Sequence, residues 1–520
     1  MIAYSELRCG YQKDTEDTRF VWFGIRYGSP SPPRPSSPAP VVTCFHHPRP
    51  LPLHRCRYII ERVLHRRWTM DDITRADHFF STHQAGYTPF PWPKDLFTRI
   101  VTDHDGYLPL TIKSLPEGTV ANARVPVVQI TASGDFSRLV TFMETVLTQL
   151  WYPSTVATLS RRVRSVLEQA MERSAEGGAE HWFIEYMLHD FGFRGCCTIE
   201  QAVLGGAAHL LSFRGSDTMA AAYYTQQHLN NGRPVATSVP ATEHSVMTAW
   251  PTERGALENM MDHFGGEGST YSVVFDSYDY AGALQRLLPV VKARKLAKGG
   301  TMVIRPDSGD PMWCTVEGVR ALDKVFGSTV NAKGYKVVNG ARVLQGDGMM
   351  ATTIAAVVEA VMDAGYSAEN AIFGMGGGLL QKVHRDTMSF ATKLCHITYA
   401  DGTERRVMKK PTTDSSKISL PGEMQVRRVK GVPTVFPAGV RVCEGVDDGE
   451  EGEDLLRVVY DHGPLTDDPW AKAGTFDEMR ARMNREWATC PPRYDPLSPQ
   501  MHQVIQETLA EFDAGDRLGY

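Results

Sequence analysis

The feature that most restricts this chain is a rhythm between about residues 185 and 390. Seven short apolar runs each end in charged residues or glycine, and longer stretches of helical spacing separate them. They are 186–188 before His189-Asp190-Phe191-Gly192, 210–213 before Arg214-Gly215-Ser216-Asp217, and 235–237 before Ser238. Next come 272–275 before Asp276 and 302–304 before Arg305-Pro306-Asp307-Ser308-Gly309. The last two are 343–344 before Gln345-Gly346-Asp347-Gly348, and 371–373 before Gly374-Met375-Gly376-Gly377-Gly378. Continuous apolar strands alternating with helices are buried on both faces, a property of parallel sheets. Polar residues gathered at strand C-termini make the active face of a (β/α) barrel. An open doubly wound sheet places its ligands there too, so the barrel is preferred and the open sheet is the alternative.

The flanks read differently. Residues 135–150 carry Leu139, Phe142, Met143, Val146, Leu147 and Leu150 at helical spacing, Pro153 is expected to end that helix, and a second is expected over 156–172 with Arg161, Arg162 and Arg164 on its polar side. Strands are expected near 20–27, 394–399 and 434–442, and helices from 58 and over 501–512. An acidic stretch at 444–454 reads as a solvated loop. Nine of the 32 prolines fall between Pro30 and Pro52, inside a stretch (28–57) whose proline density forbids helix and sheet alike. It reads as a disordered insertion or a translated non-coding one. Cys44, His46, His47, His54 and Cys56 within it are the alternative, a metal site, but prolines interrupt the usual ligand spacing.

Composition excludes several classes. With 55 Lys plus Arg against 60 Asp plus Glu, the net charge of −5 lacks the basic excess that nucleic acid or an anionic membrane demands. No apolar run reaches the ~18 residues of a membrane helix. The N-terminus lacks a signal-peptide pattern, and 9 scattered cysteines fit reduced thiols, so a cytoplasmic enzyme is expected. There is no G-x-x-x-x-G-K-[ST] loop, no H-E-x-x-H and no G-x-S-x-G.

The strand ends suggest phosphate chemistry. Gly376-Gly377-Gly378 before a helix start lets backbone N–H groups approach an anion, although a tight turn reads the same. Gly346-Asp347-Gly348 places a carboxylate that could accept sugar hydroxyls or help hold Mg²⁺, unless it is a plain turn. Asp276, Asp279 and Asp307, with Arg194, Arg305 and Arg385, suit a substrate bearing several phosphates and a divalent ion; a structural ion pair is the plainer reading of Arg305 and Asp307. Glu243 beside His244 could orient it as a base or phosphate acceptor.

These strings together resemble the nicotinamide phosphoribosyltransferase family of type II phosphoribosyltransferases. The matching segments, in the family's order, are HDFGFRG at 189–195, FRGSDT at 213–218, SVPATEHSVMTAW at 238–250, SVVFDSYD at 272–279, IRPDSGDP at 304–311, VLQGDG at 343–348 and FGMGGGLLQKVHRD at 373–386. PEGT at 116–119, QLWYPSTVAT at 149–158 and DLLRVVYDHG at 454–463 extend the match. The resemblance implies a (β/α) barrel-like domain over 181–390, plus an α+β domain built from both chain ends, 1–180 with 391–520. It also implies a homodimer with active sites at the interface. The proline-rich stretch then interrupts a strand–helix connection inside one domain.

By the same resemblance, Phe191 stacks nicotinamide, Asp217 accepts its amide N–H, and Arg194, Ser238, Arg305, Pro306 and Asp307 contact nicotinamide, ribose and phosphates. Gly346, Asp347, Gly376, Gly377 and Arg385 cradle the phosphoribosyl group. His244 becomes phosphorylated by ATP, with Glu243, Asp307 and Asp276 sharing the catalytic work. Arg8, Arg194, His244, Ser272, Arg305, Lys409 and Lys417 lie on the ATP and pyrophosphate side, and Mg²⁺ accompanies the phosphates. The family's D-x-Y-K segment, whose Tyr stacks the other pyridine face across the dimer, would precede Tyr4–Arg8, and the basic stretch after Lys417 is shorter than in the family. Nicotinate phosphoribosyltransferase is one alternative, against which Asp217 argues because its carboxylate should repel nicotinate. The other is a catalytically impaired homologue that only binds or dimerises.

Overall fold

The computed structural model describes residues 1–24, 63–440, 452–465 and 474–514. The proline-rich stretch with its five candidate metal ligands, the strand end at 25–27, the helix start at 58 and the acidic stretch up to residue 451 lie outside the described residues. The chain forms two compact units: residues 156–226 with 233–383, and residues 1–155 with 227–232 and 384–520. The boundary falls inside the helix Trp151–Ser174, so most of that helix belongs with the barrel rather than with the N-terminal segment.

The 156–383 unit is built on five parallel strands: β1 (Leu188–Asp190), β2 (Thr270–Val274), β3 (Thr301–Arg305), β4 (Ala341–Gln345) and β5 (Ala371–Met375). Their order is β1-β5-β4-β3-β2. Register is fixed by pairs such as Met375 with Asp190, Val343 with Ile304 and Val274 with Arg305. The curl continues from β1 to β2 through single parallel bridges, Asp190 with Ser216, Gly215 with Thr237, and Ala241 with Ser272. Of the seven expected strands, two are therefore only bridged segments. The apolar run at 210–213 closes helix α1 (Ile199–His209) as a buried turn instead, and the bridge forms two residues later. A short buried apolar run has the same texture in either setting.

Helices α1, α2 (His244–Ala249), α3 (Glu253–Phe264), α4 (Leu288–Lys298), α5 (Pro311–Phe326) and α6 (Ala351–Asp363) carry the chain between strands. Their starts follow from local chemistry. Thr198 and Thr252 accept from the backbone N–H three residues on, and Asp310 does the same ahead of Pro311, whose missing N–H costs nothing there. Val303, Leu344 and Ile372 form a buried cluster, with Phe183 and Phe191 packed against it.

The other unit holds a six-stranded antiparallel sheet in the order 404–406, 391–398, 2–6, 126–131, 111–114, 457–461, drawn from both ends of the chain. The strand expected at 434–442 runs from Val432 to Pro437, and the last helix from Pro499 to Ala514. The expected helix at 135–150 is broken into Gly134–Arg138, Leu139–Phe142 and Glu144–Thr148; Leu139, Leu147 and, between the last two segments, Met143 are still buried. Its many β-branched residues disfavour one continuous helix. Pro153 breaks nothing: it sits in the first turn of Trp151–Ser174, where backbone donors are unpaired anyway. Further along, Arg161 and Arg164 are buried, not on a polar face. They pair with Glu168 at 2.9 and 3.0 Å, and Arg164 also with Glu185 at 2.7 Å.

Candidate active site

A cavity of about 310 Å³ opens at the strand C-termini of the barrel unit. Phe191, Asp217, Ser238, Ser272 and Arg305 line it, with Val303, Leu344 and Ile372 as an apolar floor. Phe191 follows β1 directly, and its backbone N–H donates to the Met375 carbonyl at 3.1 Å. Its ring lies on Gly374, where a Cβ would come within 2.1 Å of the ring. That close approach is what the glycine in β5 provides.

Arg305, the last residue of β3, enters the cavity with a side chain only 7% exposed. Its guanidinium lies 5.8 Å from the Phe191 ring centre. Glu243 and Asp307 stand 3.5 and 3.8 Å from it, yet its Nε and Nη2 make no hydrogen bond. A buried charge without full partners is costly and rare, so this one is held ready for an anionic or strongly accepting ligand.

Asp217 receives a hydrogen bond from the Ser238 hydroxyl, and its backbone N–H donates to the Asp190 carbonyl at 2.9 Å. His189, beneath them, is pushed down by burial, with the Asp217 charge opposing, so the imidazole is favoured neutral. His244 opens α2. Its Nε2 lies 3.2 Å from Asp276 Oδ1 and its Nδ1 3.8 Å from Asp307 Oδ2. Asp276 is 2% exposed and also accepts from the Asp307 N–H at 2.9 Å and the Ser308 hydroxyl at 2.5 Å. One carboxylate thus fixes both the imidazole and the loop after β3, the arrangement that holds one ring nitrogen and leaves the other available. Glu243 pairs with exposed Arg194 at 2.8 Å.

The structure gathers Phe191, Asp217, Ser238, Ser272 and Arg305 on one cavity and links Glu243, His244, Asp276 and Asp307 beside it through Arg305. Gly346 meets the same wall: a Cβ there would fall 2.9 Å from Asp307 Oδ1. Pro306 is buried under the loop, and Asp347 is exposed. Gly376 and Gly377 follow β5, but the helix they begin, Gly377–Leu380, is a single turn. Asp279 takes no part; it caps a helical turn at Gly282 and pairs with Arg286. Arg8, Arg385, Lys409 and Lys417 belong to the other unit. There Arg8 pairs with buried Glu6 at 3.0 Å, Arg385 with Asp386 at 2.5 Å and Lys417 with Asp414 at 3.1 Å, while Lys409 is exposed. Sequence reasoning missed the cavity's extension past His189 to Trp182, Phe183 and Tyr186. Their aromatic spacing was the available signal.

Residues 186–463 match the model of the nicotinate phosphoribosyltransferase (NAPRTase) family. The chain belongs to that family. It is 36% identical over 428 residues to a nicotinamide phosphoribosyltransferase of Xanthomonas campestris, covering 81% of this chain and 88% of the relative. A second, from Acinetobacter baylyi, is 32% identical over 416 residues and covers 74% and 78%. In fold the chain is similar to human nicotinic acid phosphoribosyltransferase, with a TM-score of 0.54 at 15% identity, covering 98% and 95%. The family is one of pentosyltransferases, so the chain is an enzyme of phosphoribosyl transfer.

Proposed function

We propose that this chain joins nicotinamide to phosphoribosyl pyrophosphate, releasing nicotinamide mononucleotide and pyrophosphate in NAD salvage. The observation that carries the reading is Arg305, a buried and incompletely partnered guanidinium in the same cavity as an aromatic face, Phe191, and a carboxylate acceptor, Asp217. Phe191 stacks the pyridine ring. Asp217, oriented by Ser238, accepts the amide N–H and repels the anionic carboxylate of nicotinate. The pyridine nitrogen then attacks C1 of the ribose with its own lone pair, and the bond to pyrophosphate breaks with both electrons leaving on oxygen. No general base is required, so the protein's task is to place the reactants and stabilise charge.

ATP coupling through His244 is part of the proposal. With Asp276 holding one ring nitrogen, the other attacks the γ-phosphorus of ATP and ADP departs. Arg8, Arg194, Arg385, Lys409 and Lys417 are proposed as phosphate contacts, Asp347 and the glycines 346, 376 and 377 as the phosphoribosyl cradle, and a cytoplasmic homodimer as the working form. Among the described residues no three carboxylate, histidine or cysteine side chains converge as a metal cage. Mg²⁺ is proposed to accompany the pyrophosphate substrate. No helix among the described residues is long and apolar enough to cross a membrane.

The test is a side-by-side assay of nicotinamide and nicotinate with phosphoribosyl pyrophosphate and Mg²⁺, with and without ATP. Nicotinamide mononucleotide is the expected product, formed faster with ATP. No product under either condition would sink the reading, and preference for nicotinate would overturn its substrate.

A further inference from the structure

Asp190 is the last residue of β1 and is wholly buried, yet it touches no substrate surface in the cavity. Its position ties three segments of the ring together. Its Cα register partner in β5 is Met375, the carbonyl of which holds the Phe191 N–H at 3.1 Å. Its backbone N–H donates to the Gly215 carbonyl at 3.2 Å, and its own carbonyl accepts from the Asp217 N–H at 2.9 Å. Its side-chain Oδ1 accepts from the Gly192 N–H at 2.7 Å. Asp190, the residue before Phe191, thus holds both Gly192, the residue after it, and Asp217.

The surroundings are shaped to admit this carboxyl. A Cβ on Gly206 of α1 would stand 3.1 Å from Asp190 Oδ2 and 2.4 Å from the Ala221 Cβ, and one on Gly192 would stand 3.0 Å from Oδ1. Burial pushes the acid up to about 6; the Gly192 N–H and Thr218 hydroxyl act against that rise, and the Asp217 charge adds to it. A hydrogen bond to a buried donor has little replacement if lost, because water cannot reach it.

We propose that Asp190 is a positioning residue for the pyridine. Its side chain fixes the turn at Gly192, and so sets the spacing between the Phe191 face and the Asp217 edge that grips the amide. This rests on the nicotinamide reading above. The role is acceptor chemistry at one oxygen, which asparagine retains and an apolar side chain of equal size does not.

The experiment is steady-state kinetics on the full chain and three variants, Asp190→Asn, Asp190→Leu and Asp190→Ala, with folding checked by circular dichroism and thermal melts. Asp190→Asn should keep the nicotinamide KM within about 3-fold of the parent. Asp190→Leu should raise it about 10-fold or more, with the phosphoribosyl pyrophosphate KM moving less than about 2-fold. Should the leucine variant fail to fold, the smaller Asp190→Ala, which leaves the Gly192 N–H without a side-chain acceptor, should give the same one-sided rise. An unchanged nicotinamide KM in a folded leucine or alanine variant overturns the proposal. So does a parallel rise of both KM values, or an asparagine variant as impaired as leucine. A parent chain that uses nicotinate would overturn the substrate reading but leave this test standing, with nicotinate as the varied substrate.

Discussion

Substituting Gly374 by alanine gives the sharpest probe of the proposed pyridine site. Gly374 is buried in β5, which is paired to β1 on one side and β4 on the other, so its backbone has little room to retreat. A Cβ there would lie 2.1, 2.4 and 2.8 Å from three carbons of the Phe191 ring. Carbon atoms sit comfortably at about 3.5–4.0 Å, so the ring must withdraw by more than ~1 Å. Gly374 has no left-handed backbone that alanine would resist, and alanine restricts the unfolded chain, which offsets part of an overpacking cost of about 1–3 kcal/mol. The protein should fold with a modest loss of Tm. Function should fall further. Displacing the ring forfeits stacking worth roughly 0.5–1.5 kcal/mol, and misplacement of the reacting nitrogen by ~1 Å costs up to about 100-fold more. Initial rates with nicotinamide varied at saturating phosphoribosyl pyrophosphate should show kcat/KM lowered roughly 10- to 100-fold. The double variant Phe191→Leu with Gly374→Ala decides the cause. With the ring gone the clash disappears, so the double variant should be no worse than Phe191→Leu alone, a strong departure from additivity. A folded Gly374→Ala protein with parental nicotinamide kinetics, or additive losses, would refute the reasoning.

Three further outcomes are expected. Asp217→Ala should reduce kcat/KM for nicotinamide by about 10- to 100-fold, since a charged acceptor for a buried N–H is worth roughly 1.5–3 kcal/mol, and should narrow the gap to nicotinate; competition assays measure both. His244→Ala should abolish ATP stimulation and phosphorylated-protein labelling from ATP, while the ATP-independent rate persists. For stability, the fully buried Asp190 is raised to about 6, so the folded state holds its proton more tightly than the unfolded one. Its burial penalty is absent below about pH 4, grows as pH rises and is complete above 6. Relative to the parent, Asp190→Asn should therefore gain up to about 3 kcal/mol between pH 4 and pH 7 in denaturant titrations; parallel stability curves would contradict this.

Much of the barrel was legible because its strands announce themselves. The runs before Asp276, Arg305, Gly346 and Gly374 are continuous, β-branched and bounded by polar residues, and all became paired strands. The segments carrying Asp217 and Ser238 were legible only as motifs, because a single bridge imposes no periodicity and the apolar run beside the first belongs to a helix end. Burial of Arg161 and Arg164 left no trace in the sequence, since arginine reads as surface until its carboxylate partners are placed. The same holds for Asp190: its neighbours in space, Gly192 apart, come from distant strands and helices. Long-range partners, not local propensity, decided each of these.

The uneven bonding of the ring has an evolutionary consequence. Phe191 and Arg305 leave strands with full ladders on the five-strand frame, whereas Asp217, Ser238, Glu243 and His244 sit on or beside segments attached by single bridges. The five-strand frame is stiff, and the segments that carry the residues proposed for base choice and ATP use are lightly stitched. New preferences can therefore be drafted by rewriting two short stretches, around 213–218 and 238–250, without renegotiating the fold.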